Sequence, residues 1–170
     1  MKNSILFGLL GGFSSMAILA LLYVYDKNFL LSGYEKITWG VILVAMFIAI
    51  LRDRNSQKEQ FIPFYEALKT GFQTFVIAYL IKFAFTYILF SFFDPSLLDM
   101  AREKAVEIFT AHREAQEAEE IFQQRLAAFT NGYFGPRIFD IGVMLEIIAG
   151  FVLSLLTAAL LRREAPDYEK

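Results

Sequence analysis

The sequence predicts an all-α membrane protein, with four transmembrane helices and an extracytoplasmic amphipathic helix or helical hairpin between the third and fourth. Three observations predict it. Apolar residues make up 56% of the 170 residues, with a mean hydropathy of +0.46. They gather in four stretches close to the ~20 residues that a helix needs to cross a bilayer. Charged or turn-forming residues bound each stretch.

The first span covers residues 4–25, between Lys2 and the Asp26-Lys27 pair. Its apolar region is longer than that of a secretory signal, so it reads as an uncleaved helix. Gly8, Gly12 and Ser15 form a strip of small residues at helical spacing, which in lipid marks close packing against another helix. Residues 26–36 read as a short loop. The second span covers residues 34–51. Trp39 lies near its start, where an amphipathic ring suits the lipid–water boundary. Arg52, Arg54 and Lys58 close it.

Pro63 suits the first turn of the third helix. Phe61, Phe64 and Tyr65, beside Glu66 and Lys69, suggest an interfacial turn leading into a span over residues 66–93. Asp94-Pro95 ends that span with a cap and a first-turn proline that restart a helix beyond it. Residues 95–130 are Glu-rich. Ala101, Ala105, Ile108, His112, Ala115, Phe122, Leu126 and Phe129 recur at steps of three, four or seven, the pattern of one modest apolar face. Asn131-Gly132 and Gly135-Pro136 read as turn signals that end the segment. The fourth span covers residues 138–161, between Arg137 and the Arg162-Arg163 pair.

Lysine and arginine near the spans set orientation. Arg52, Arg54, Lys58 and Lys69 lie between the second and third spans, Arg162 and Arg163 after the fourth, and Lys2 before the first. The segment from Asp94 to Arg137 carries eight acidic residues against five basic ones. Both termini are therefore expected in the cytoplasm and residues 94–137 outside it, in a bacterial inner membrane.

Lys82 and Glu146 each stand alone well inside a span. A charge at mid-bilayer costs at least ~2.5–3.5 kcal/mol on insertion scales, so each calls for a partner or water. At ~1.5 Å per residue, Glu146 lies ~12 Å and Lys82 ~16 Å below the outer face, matched depths for an ion pair. Gly142, Glu146, Gly150, Ser154 and Ala158 are spaced by four, as are Glu66, Thr70, Thr74, Ala78, Lys82 and Thr86, so each buried charge sits among small or polar neighbours. The plain reading is a structural pair that fixes two helices. The functional readings are contact with a substrate, proton or headgroup, and contact with another subunit.

The chain has no cysteine, which excludes disulfides, thiolate zinc sites and iron–sulfur clusters. With one histidine besides, neither a transition-metal site nor any other cofactor is expected. Phosphate-binding loops, zinc-binding His-Glu patterns, nucleophile elbows and basic nucleic-acid patches are all lacking, so no catalytic residue is named.

The order of features, with Phe64, Ala67, Lys69 and Gly71 at the start of the third helix, Asp94-Pro95 at its exit and Ser154, Leu155, Ala158, Arg162 and Arg163 at the close, resembles a family of four-span bacterial inner-membrane proteins known only as a domain of unknown function. The resemblance covers nearly the whole chain. It implies the topology and no activity. The polyprenyl-phosphate glycosyltransferases encoded beside members are a hint about partners. The expected function is a non-enzymatic accessory or scaffold subunit of a membrane complex, in the setting of cell-envelope assembly. Its partners would be membrane lipid and either other membrane subunits or further copies of itself, with no nucleic acid. The competing expectation is a small oligomeric transporter or flippase for a lipid-linked or small anionic substrate, using Lys82 and Glu146. A lipid-acting membrane enzyme comes third.

Overall fold

A computed structural model describes residues 2–31, 36–57, 61–111, 119–133 and 141–163, except for the side chains of 128–133 and 141–142. Among the described residues the helices are α1 (Lys2–Tyr25), α2 (Lys27–Leu31), α3 (Ile37–Ser56), α4 (Phe64–Ile88), α5 (Ser96–Ala111), α6 (Glu119–Tyr133) and α7 (Ile141–Leu161). They divide into two units, Met1–Phe85 with Ile138–Lys170, and Thr86–Arg137.

In the first unit the burial pattern is the reverse of a soluble protein's. Ser4, Ser15, Thr38, Thr74 and Ser154 are fully buried, while Leu21, Val24, Leu80 and Leu160 are exposed. Lipid as solvent explains it, because apolar side chains lose nothing by facing hydrocarbon and helices associate instead through small residues and hydrogen bonds. Three described helices are long and apolar enough to cross a membrane: Lys2–Tyr25, Phe64–Phe93 and Val143–Leu161. Helix α3 has 20 residues, but Arg52, Asp53 and Arg54 fall in its last turns. Its apolar part, from Ile37 to Leu51, covers ~22 Å against a hydrocarbon core of ~30 Å.

Glycines set the helix spacing. A Cβ on Gly8 would lie 2.8 Å from Ile77 Cβ, and one on Gly12 2.7 Å from Ile81 Cδ1, so α1 and α4 are at near-backbone contact. A Cβ on Gly11 would lie 2.8 Å from Ala45 Cβ, which seats α1 on α3 in the same way. Ser15 donates to the Gly11 carbonyl at 2.8 Å, satisfying its hydroxyl inside α1. Two apolar clusters fill the bundle. One holds Ile42, Met46, Phe75, Ala78 and Tyr79; the other holds Ile50, Ile62, Ala67, Ala158 and Leu161. The second is tied off by an antiparallel bridge, in which the Ile62 N–H donates to the Arg163 carbonyl at 3.0 Å and the Arg163 N–H to the Ile62 carbonyl at 3.1 Å.

The expected loop after α1 contains the short helix α2. Asp26 starts it, its side chain accepting from the Asn28 N–H at 2.8 Å. This is ordinary Asp capping, which the charge pattern concealed.

In the second unit the chain leaves α4 through a π-helical turn, Leu89–Phe93, closed by the Asp94 N–H donating to the Leu89 carbonyl at 2.8 Å. Ser96 donates its hydroxyl to the Asp94 carboxylate as α5 begins. Helices α5 and α6 pack together, Phe109 stacking on Phe122 with ring centroids 5.9 Å apart. Leu97 and Phe122 are buried and Ile108 is exposed, so the apolar face of α5 runs through Leu97, Ala101, Ala105 and Phe109 rather than through Ile108. A strict four-residue step keeps that face, and the three-residue step to Ile108 leaves it. Helix α6 runs through Asn131-Gly132 and is described as far as Tyr133, one residue past that turn signal. His112, Glu114, Ala115, Glu117 and the Gly135-Pro136 turn signal lie outside the described residues.

Candidate functional site

Helix α4 carries an aromatic column at steps of three and four: Phe72, Phe75, Tyr79 and Phe83, with successive centroids 6.3, 5.5 and 6.1 Å apart. Trp39 of α3 stacks on Phe75 at 5.9 Å. Gly150 of α7 admits the Phe75 ring, since a Cβ there would lie only 2.0 Å from Phe75 Cζ. The column places Lys82 one helical turn beyond Ala78, where its side chain is nine-tenths buried.

Lys82 Nζ stands 4.0 Å from Glu146 Oε2 of α7 and 5.4 Å from the centroid of the Trp39 ring. At that length the ion pair is a Coulombic contact and not a hydrogen bond. The ring face supplies a second attraction, worth ~0.5–2 kcal/mol for a cation in this position. The Tyr79 hydroxyl donates to the Glu146 carboxylate. Glu146 itself is 42% exposed, so the pair is asymmetric, with the cation enclosed and the anion open to the surroundings. Such an arrangement can hold a charge at depth, orient it, and present a carboxylate outward.

A second polar cluster joins α1, α3 and α4 at the opposite end of the bundle. Asp53 accepts from Asn3 Nδ2 and from Thr70 Oγ1, each at 2.7 Å. Ser4 donates to Gln73 Oε1 at 3.1 Å, and Thr74 donates to the Thr70 carbonyl at 2.8 Å. Neither this clasp nor Tyr79 emerged from the sequence. Asn3 and Asp53 are 50 residues apart, and Tyr79 is one of eight tyrosines. The regular spacing of Thr70, Thr74, Ala78 and Lys82 was the one signal pointing toward them.

Of the other residues singled out, Ser154 is fully buried and donates to the Gly150 carbonyl at 2.7 Å. Gly142 lies in α7, and its surroundings fall outside the described residues, as do Arg137 and Asp140. Trp39 is half-buried against the first apolar cluster. Phe64 packs against the second cluster, Tyr65 is exposed, and Phe61 lies beneath the Arg163 guanidinium at 5.9 Å.

A helical bundle with an apolar exterior, and charge held inside among small and aromatic residues, defines a polytopic α-helical membrane protein. The chain belongs to the family described as "Protein of unknown function (DUF4199)", whose model matches residues 6–163. No curated protein and no solved structure matches it.

Proposed function

We propose that this chain is a non-enzymatic scaffold or accessory subunit of a bacterial inner-membrane complex. In this reading α3 is a fourth span beside the three longer helices, both termini are cytoplasmic, and α5 and α6 lie outside, where their acidic surface meets a partner of the cell-envelope machinery. One observation carries the reading: the middle of the bundle is filled. Ile42, Met46, Phe75 and Ala78, all nearly or fully buried, separate the Lys82–Glu146 pair from the Asp53 clasp, and the Phe75 ring is locked onto Gly150. A closed apolar layer suits a packing element better than a conduit.

The test is purification from native membranes in mild detergent, with and without residues 96–133. A stoichiometric membrane partner that is lost with that segment is the expected result. A homo-oligomer with no partner would overturn it. The chain contains no cysteine, so single cysteines can be introduced without background. Gln57→Cys should label from the cytoplasm and Gln123→Cys from outside.

The second reading, a small oligomeric transporter or flippase for a lipid-linked or small anionic substrate, is favoured by the outward exposure of Glu146 beside an enclosed Lys82. Lys82→Met that folds normally and abolishes lipid or anion movement in proteoliposomes would establish it; full retention would remove Lys82 from it.

A further inference from the structure

We propose that the cleft between α3 and α4, in front of Asp53, is a binding site for a phosphoethanolamine group. The cleft has a volume of about 280 Å³. That is at the small end of the range for ligand pockets, suited to a headgroup rather than a whole amphiphile. Asp53 and Glu66 line it, together with Thr70, Gln57 and Lys69.

The chemistry of the lining selects the ligand. Both Asp53 carboxylate oxygens are held by neutral donors, Asn3 and Thr70. No cation among the described residues pairs with that carboxylate. It is half-buried and fixed from two other helices, so it is oriented before any ligand arrives. A carboxylate accepts more than one hydrogen bond per oxygen, and a half-buried carboxylate that only neutral donors hold among the described residues favours an incoming cation. Glu66, whose Oε2 accepts from Gln57 Nε2 at 3.2 Å, adds a second carboxylate on the same cleft. Lys69 is exposed and brings the one positive charge among the described lining residues. Two carboxylates and one ammonium are complementary to a zwitterion whose ammonium enters toward Asp53 and Glu66 and whose phosphate meets Lys69. A primary ammonium has three N–H donors for these oxygens, which a trimethylammonium lacks. The exposed Tyr65, one turn before Lys69 on α4, gives this end of the helix the amphipathic ring favoured at a lipid–water boundary. The ligand is therefore either a phosphatidylethanolamine headgroup or free phosphoethanolamine.

The experiment is native mass spectrometry of the full chain, released from nanodiscs containing equal parts phosphatidylethanolamine and phosphatidylcholine. Free phosphoethanolamine is titrated in a parallel arm. The expected result is about tenfold preferential retention of phosphatidylethanolamine, the scale of one lost charge-assisted hydrogen bond. Glu66→Gln and Asp53→Asn should each reduce it. Equal retention of the two lipids, with no binding of free phosphoethanolamine, would overturn the proposal. So would preference that survives both substitutions in folded protein. Binding of free phosphoethanolamine without lipid preference would assign the same site to the soluble molecule. If Asp53→Asn disrupts folding, Glu66→Gln decides, because that side chain is exposed and outside the clasp.

Discussion

Gly150→Ala should destabilise the bundle, and the cause can be followed atom by atom. An added Cβ would lie 2.0, 2.2 and 2.3 Å from Phe75 Cζ, Cε1 and Cε2, where ordinary contact begins at 3.4 Å. Ring or helix must give way by more than an ångström. The ring has little freedom to do so, because Trp39 and Tyr79 stack on it at 5.9 and 5.5 Å and it is wholly buried. Overpacking of this kind costs ~1–3 kcal/mol, and the jammed ring argues for the upper end. Alanine's better helix propensity returns ~1 kcal/mol, leaving a net loss of about 2 kcal/mol. Trp39 is the sole tryptophan, so its emission reports both the displacement of Phe75 and unfolding in mixed detergent micelles. Combining Gly150→Ala with Phe75→Leu should recover at least ~1 kcal/mol relative to additivity. A Gly150→Ala protein as stable as the parent, with unchanged Trp39 emission, would refute the interlock.

Lys82→Met should cost about 1–3 kcal/mol, less than a fully buried pair would lose because Glu146 is half-exposed, and Lys82→Met with Glu146→Leu should restore part of it in the same unfolding assay. Asn3→Ala and Thr70→Val should each cost ~1 kcal/mol, and their combination should fall short of the sum because both act through Asp53. Gly12→Val should force α1 off α4, losing ~1–3 kcal/mol and opening α1 to added protease before the rest of the bundle unfolds.

The all-α class and the membrane character were legible because lipid imposes long uninterrupted apolar runs, as at Lys2–Tyr25 and Val143–Leu161. The family was legible from landmarks at element boundaries, such as Asp94-Pro95 and Arg162-Arg163. Lys82 was conspicuous because an isolated charge in an apolar run is rare. Phe75 was not, being one of nineteen phenylalanines, and only the missing side chain of Gly150, 75 residues later, gives it its place. Arg52 and Arg54 read simply as the end of a span. Their neighbourhood hid a carboxylate whose partners come from the first and fourth helices, a contact no local pattern encodes. Chemistry of the ring alone directed Trp39 to the lipid–water boundary, whereas its neighbours Phe75 and Lys82 follow from how α3 lies against α4.

The two-bond bridge between Ile62 and Arg163 bears on how the protein is made. Its halves are separated by 101 residues of chain, at the start of α4 and after the end of α7. At ribosomal speeds of ~5–20 residues per second, Ile62 waits roughly 5–20 s after its own synthesis for its partner. During that interval the backbone of Ile62 lacks its bridge to Arg163, and the cluster that Ile62 shares with Ala158 and Leu161 is incomplete. Helices α1, α3 and α4 therefore leave the ribosome as an open assembly, and α7, the last of the described helices, is the one that latches it.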